Sequence, residues 1–154
     1  MTLLTMRRTC LSVLIVNGLF HVWGYFAPKT WYETFPGFGD GWLTRLGPYN
    51  EHLVADTAAM FLAMTVLTTA ALCHPKDNRF AQVTGASWLA FNVLHLLYHV
   101  QHLGMYSVWE KVTLVSFLSL LTIVSALLLI PVSPARDTDR TFQGADGGGG
   151  RHSG

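Results

Sequence analysis

The stretch FAQVTGASWLAFNVLHLLYHVQHLGMYSVW, residues 80–109, decides the fold. It runs for 30 residues without an Asp, Glu, Lys or Arg. At about 1.5 Å of rise per residue, roughly 20 helical residues cross about 30 Å of hydrocarbon. Backbone N–H and C=O groups in lipid must pair within their own segment, so such a run is read as a transmembrane helix. The same stretch carries Asn92, His95, His99 and His102. Polar and ionisable groups of this kind are costly in a bilayer and mark sites there.

Three more charge-free runs flank it: Thr9–Pro28, Thr57–Pro75 and Val112–Ala135. One buried core helix would account for one such run in a water-soluble fold, but not for four. A strand barrel needs many short alternating segments, and none is present. Composition agrees: 51% of residues are hydrophobic and 12% are charged, against roughly 25% charged in an average soluble domain. The mean hydropathy is +0.35. A net charge of +1 gives no reason to expect a nucleic-acid partner. The fold expected is all-α: an antiparallel four-helix transmembrane bundle over residues 1–131.

The first helix is expected from about Arg8 to Ala27, with Pro28 after it. A cleaved signal peptide is the competing reading, but no small-x-small site follows. The segment ends instead in Trp23, Tyr25 and Phe26, residues typical of the membrane interface. Residues 28–48, PKTWYETFPGFGDGWLTRLGP, interleave Trp31, Tyr32, Phe35, Phe38 and Trp42 with prolines and glycines. That composition suits a loop or short helix in the interface, either an anchor or a lid. The second helix is expected from Pro48 or Tyr49 to Cys73, the third from Phe80 to Leu103 and the fourth from Ser107 to Ile130. HPKDNR, residues 74–79, is a turn. Residues 132–154 are polar and glycine-rich, and are expected to be a disordered cytoplasmic tail.

Lys and Arg set the orientation. The N-terminal segment, the 74–79 turn and the tail hold Arg7, Arg8, Lys76, Arg79, Arg136, Arg140 and Arg151; the opposite side holds Lys29, Arg45 and Lys111. Both termini are therefore expected in the cytoplasm of a multi-pass protein of the cell membrane. Cys10 and Cys73 fall at cytoplasmic helix ends and are expected to be reduced thiols. No CxxC is present.

The ionisable residues of the spans are gathered. The first helix has Asn17 and His21, and the second opens with Asn50, Glu51, His52 and Asp56. At about 100° per residue, His95, His99 and His102 fall within an arc of ~60°, and Asn92 widens it to ~80°. His52 and Asp56, at i and i+4, share a face. Ala55, Ala59 and Ala63 lie near that face and suggest close helix packing there. Helix rise puts His21 ~20 Å above Arg8, Asp56 ~25 Å above Cys73 and His95 ~22 Å above Phe80. The topology thus collects histidines and carboxylates in one layer near the outer mouth, where Glu110 could join them.

Imidazole nitrogen with carboxylate oxygen is a ligand set for Fe, Cu or Zn. His52, His95, His99 and His102 are the candidate metal ligands, with Glu51, Asp56 and His21 as candidate catalytic groups. A metal-dependent oxidoreductase acting on a small or lipophilic substrate is the leading expectation. A metal-free acid–base isomerase or cyclase would use a His–carboxylate pair instead. A haem held by facing histidines would make an electron carrier. A transporter or accessory subunit would need a polar path leading inward. The inner halves of the spans offer only Gln82 and hydroxyls such as Ser12, Thr65, Thr68 and Ser125, none ionisable near neutral pH. The bland alternative is a set of interhelical hydrogen bonds, each worth only about 0.6 kcal/mol on average in a membrane. ExxH and HExxH are absent, which removes the usual di-iron and zincin patterns.

GPYNEHLVAD, residues 47–56, and HLLYHVQHL, residues 95–103, resemble the two signature segments of a group of small four-helix bacterial integral membrane proteins. The resemblance covers Trp23 to about Ile130. It implies the four-helix fold and the pairing of these two segments, and no substrate, cofactor or catalytic residue.

Overall fold

The computed structural model describes residues 2–37 and 41–132. It is an antiparallel bundle of four long helices: α1 (Leu3–Phe26), α3 (Glu51–Cys73), α4 (Asn78–Gln101) and α5 (Val108–Leu127). A short helix, α2 (Pro28–Thr34), lies in the segment between α1 and α3. No strand occurs among the described residues. All four long helices are long and apolar enough to cross a membrane. Large apolar side chains face outward along them, among them Val16, Val66, Leu94 and Ile123. Water would penalise that surface, whereas a bilayer matches it.

Local chemistry explains the boundaries. α1 starts five residues before the expected Arg8, because the Thr2 side chain caps it by accepting from the Thr5 N–H. α3 starts after Pro48, where the Asn50 side chain accepts from the Leu53 N–H. Asp77 caps α4 in the same way. Ser107 and Glu110 form a reciprocal capping box at the start of α5. α4 stops at Gln101, and Gly104 falls in a following 3₁₀ turn, Leu103–Met105, rather than closing the helix. Of the tail expected over 132–154, only Val132 is among the described residues.

α1 packs chiefly on α3, and α4 on α5. The α1–α3 seam is close because Gly18 lies against Thr65: a Cβ at Gly18 would run into the Thr65 hydroxyl. The buried stripe of α3 is Val54, Ala58, Phe61, Thr65, Thr68 and Ala71. This corrects the expectation that Ala55, Ala59 and Ala63 mark the packing face; Ala59 and Ala63 are exposed.

The two ends of the bundle are built differently. At the end holding the start of α1 and the 74–77 turn, Arg7 is buried. Its guanidinium donates to the carbonyls of Pro75 (3.1 Å) and Ile130 (2.9 Å) and to Asn78 Oδ1 (2.8 Å). One side chain of α1 thereby ties the α3–α4 turn to the end of α5. Asn78 adds two bonds to Val132. Midway, the Trp88 indole N–H donates to Thr68 Oγ1 at 2.7 Å, and Asn92 Nδ2 to Ser125 Oγ at 2.9 Å. Cys10, Leu11, Leu14, Phe61, Trp88, Leu121 and Leu128 fill the space around these bonds.

Candidate functional site

At the opposite end the four long helices enclose a cavity of about 800 Å³. Its floor is set by Asn17, Phe61, Asn92 and Leu121, and its walls rise through His21, His95 and His99. The 27–50 segment closes the top with Trp31, Phe35, Trp42 and Leu46. Met60 and Phe117 line the cavity and are 40% and 47% exposed. Each lies ~14 Å of helix rise inside its span.

The segment 27–50 is held in place at several points. Gly24 is bare where Trp31 packs, since an added Cβ would sit 3.1 Å from the indole. The Tyr32 hydroxyl donates to the Gly47 carbonyl. Arg45 Nη1 pairs with Glu110 Oε2 at 2.7 Å and also donates to the Met105 carbonyl. Tyr106 is buried and donates to the Trp42 carbonyl at 3.3 Å. Burial pushes its phenol above the ordinary range, although Arg45 opposes the shift. Tyr106 therefore stays a hydroxyl donor.

A continuous row of rings forms one wall. His21 lies edge-on to Trp31 with centroids 5.9 Å apart and stacks on Phe61 at 3.9 Å. Phe61 meets Phe91 at 5.2 Å, Phe91 stacks on His95 at 5.1 Å, and His95 meets His99 edge-on at 4.6 Å. His21 Nδ1 lies 2.8 Å from the Asn17 carbonyl, an acceptor only, so this nitrogen carries the proton. In the neutral ring Nε2 then keeps its lone pair.

Two residues that line the cavity each hold a polar atom buried without a hydrogen-bond partner, Trp31 Nε1 and His99 Nδ1. Trp31 is 6% exposed and His99 5%. A buried polar group left unpaired costs about 1–3 kcal/mol. Their presence on a cavity wall is therefore informative. Among the described residues, no Asp, Glu, Lys or Arg lines the cavity.

His21, His95 and His99, from two different helices, meet in the cavity as the sequence suggested. Glu51, His52, Asp56 and His102 do not line it. His52 Nε2 pairs with Asp56 Oδ2 at 3.3 Å on the outside of α3, where the side chains are 87% and 63% exposed. They sit two residues either side of Val54, ~200° from the buried face. Glu51 is exposed in the first turn of α3. His102 follows the end of α4; its Nδ1 bonds the Tyr98 carbonyl and its ring stacks on Tyr98 at 4.2 Å. Glu110 serves the Arg45 pair and the capping box instead of the cavity. Among the described residues no three His, Cys, Asp or Glu side chains come together as a set that could hold a metal ion.

The sequence reading missed Trp31 as a polar group, and Phe61 and Phe91 as ring spacers between the histidines. The 3–4 spacing of Val54, Ala58, Phe61, Thr65 and Thr68 is a signal that finds the α3 face, because it puts two hydroxyls and an aromatic ring on one stripe. Comparison with family models, curated proteins and solved structures finds no match to this chain.

Proposed function

We propose that this chain is an integral membrane protein that takes a small lipophilic molecule into the cavity at the loop end of the bundle. His21, His95 and His99 are its reactive groups. One observation carries the reading: an apolar cavity of about 800 Å³ is lined by three histidines and by two residues, Trp31 and His99, that each hold a buried polar atom without a partner. Pockets of roughly 300–1,000 Å³, mostly apolar with a few convergent polar groups, are the usual form of small-molecule sites. With no carboxylate among the described lining residues, the chemistry these residues offer is proton transfer by imidazole, such as an isomerisation. In our reading the protein lies in the cell membrane with both termini cytoplasmic, supported by the seven-to-three distribution of Lys and Arg. The cavity then opens to the outer leaflet.

A metal-dependent oxidoreductase is the second reading, favoured by the 4.6 Å approach of the His95 and His99 rings in the cavity wall. Those two imidazoles would be the protein's ligands for Fe, Cu or Zn, and the substrate or solvent would have to complete the set.

Mass spectrometry of organic extracts tests the first reading. Wild-type protein and a Thr57→Trp variant, which fills the cavity from α3, would be purified from the same membranes. A lipophile enriched with wild type and depleted from a folded variant supports the proposal. No enriched lipophile in either sample, or equal amounts in both, contradicts it. Metal analysis of the same preparations separates the second reading, which requires stoichiometric metal that falls in His95→Ala/His99→Ala.

A further inference from the structure

The atoms left unpaired on the cavity wall also select the ligand's head. This inference rests on the cavity being a ligand site and concerns which class of lipophile fills it. Trp31 Nε1 is a hydrogen-bond donor and nothing else. It therefore wants an oxygen acceptor. His99 Nδ1 either donates or accepts, according to its tautomer. Both are at least nine-tenths buried, and both belong to residues that line the cavity.

Charge narrows the choice. Arg45 is the basic residue nearest in sequence to the lid's lining residues, and it is paired with Glu110 at 2.7 Å. Among the described residues no cationic side chain lines the cavity, so a phosphate or carboxylate head would lose its hydration with no counter-charge. An ammonium head meets the same objection, because no carboxylate is among the described lining residues. A plain hydrocarbon would leave both polar atoms unsatisfied. We infer that the ligand is a neutral lipophile bearing a hydroxyl or carbonyl oxygen, with Trp31 donating to that oxygen and His99 supplying a second polar contact.

Four probes of one chain length discriminate these cases: tetradecanol, the corresponding methyl ketone, tetradecanoate at a pH where it is ionised, and tetradecane. Binding is read as a saturable rise in the thermal midpoint of the full-length protein in lipid nanodiscs. The alcohol or the ketone should bind at least about tenfold more tightly than the alkane and the carboxylate, the scale of one net hydrogen bond. Trp31→Phe and His99→Phe should each erode that preference while leaving alkane binding unchanged, and circular dichroism shows whether each variant keeps its helices. If alkane or carboxylate binds as tightly as the neutral oxygen compounds, or if both folded variants keep the preference, the head-group inference is overturned while the site stands. If none of the four probes gives a saturable shift, the cavity is not a lipophile site and both readings fall together.

Discussion

The two ends of this bundle spend polar side chains in opposite ways. At the terminal end, Arg7 is buried and donates through Nη1 and Nη2 to three oxygens from two distant segments, while its Nε has no partner. At the loop end, Trp31 and His99 are just as buried but give Nε1 and Nδ1 no partner. An unpaired buried group costs more than its absence; the one at the terminal end, Arg7 Nε, belongs to a guanidinium that makes three other bonds, whereas the two at the loop end belong to residues that line a cavity. One end holds the helices together; in our proposal the other keeps polar atoms for a ligand. The difference separates the structural polar groups of a membrane bundle from its candidate chemistry, which residue type alone does not do.

Substitutions at the terminal end should give the largest losses of stability. Arg7→Ala removes the tie between the α3–α4 turn and the end of α5 and leaves buried acceptors unpaired. Its expected cost is about 3 kcal/mol, the sum of a charged donor's lost bonds offset by the charge no longer buried. Unfolding in mixed micelles by steric trapping or denaturant would measure it. A loss below about 0.5 kcal/mol would mean that the clamp is not structural. Gly18→Val should cost about 2 kcal/mol by pushing α1 off Thr65, and the same assay reads it. Trp88→Phe deletes the bond to Thr68 while keeping an aromatic ring, and about 1 kcal/mol is expected.

His52→Ala and Asp56→Ala sharpen the contrast from the other side. This pair is exposed outside α3, so stability should move by no more than about 0.5 kcal/mol. Ligand occupancy of the cavity should be unchanged. A loss of occupancy in either variant would bring the exposed carboxylate back into the site.

Much of this organisation is legible in the sequence, and the failures have one cause. Charge-free runs of sufficient length give the four spans directly, because the bilayer imposes a length and forbids unpaired backbone. The polar stripe of α4 is legible too: Asn92, His95 and His99 do turn inward. The rotation of α3 is not. A span is apolar both toward lipid and toward its neighbours, so hydropathy does not say which side faces the bundle. His52 and Asp56 share a face as their spacing requires, but it is the outer face. The rotation is set by Gly18 against Thr65 and by Trp88 on Thr68, contacts between helices that no single segment reveals. Arg7 is a similar case. As sequence it counts toward orientation, and only the approach of Pro75, Asn78 and Ile130 gives it a structural task.

The most direct test of the division between the two ends is the stability of the Trp31→Phe/His99→Phe double variant, measured without added ligand and beside Arg7→Ala. The unpaired atoms serve a ligand in this account, so removing both should leave stability within about 0.5 kcal/mol of wild type or raise it, whereas Arg7→Ala falls by about 3 kcal/mol. A double variant destabilised as strongly as Arg7→Ala would show that Trp31 and His99 hold the fold together, and would contradict the assignment of the loop-end cavity as the functional site.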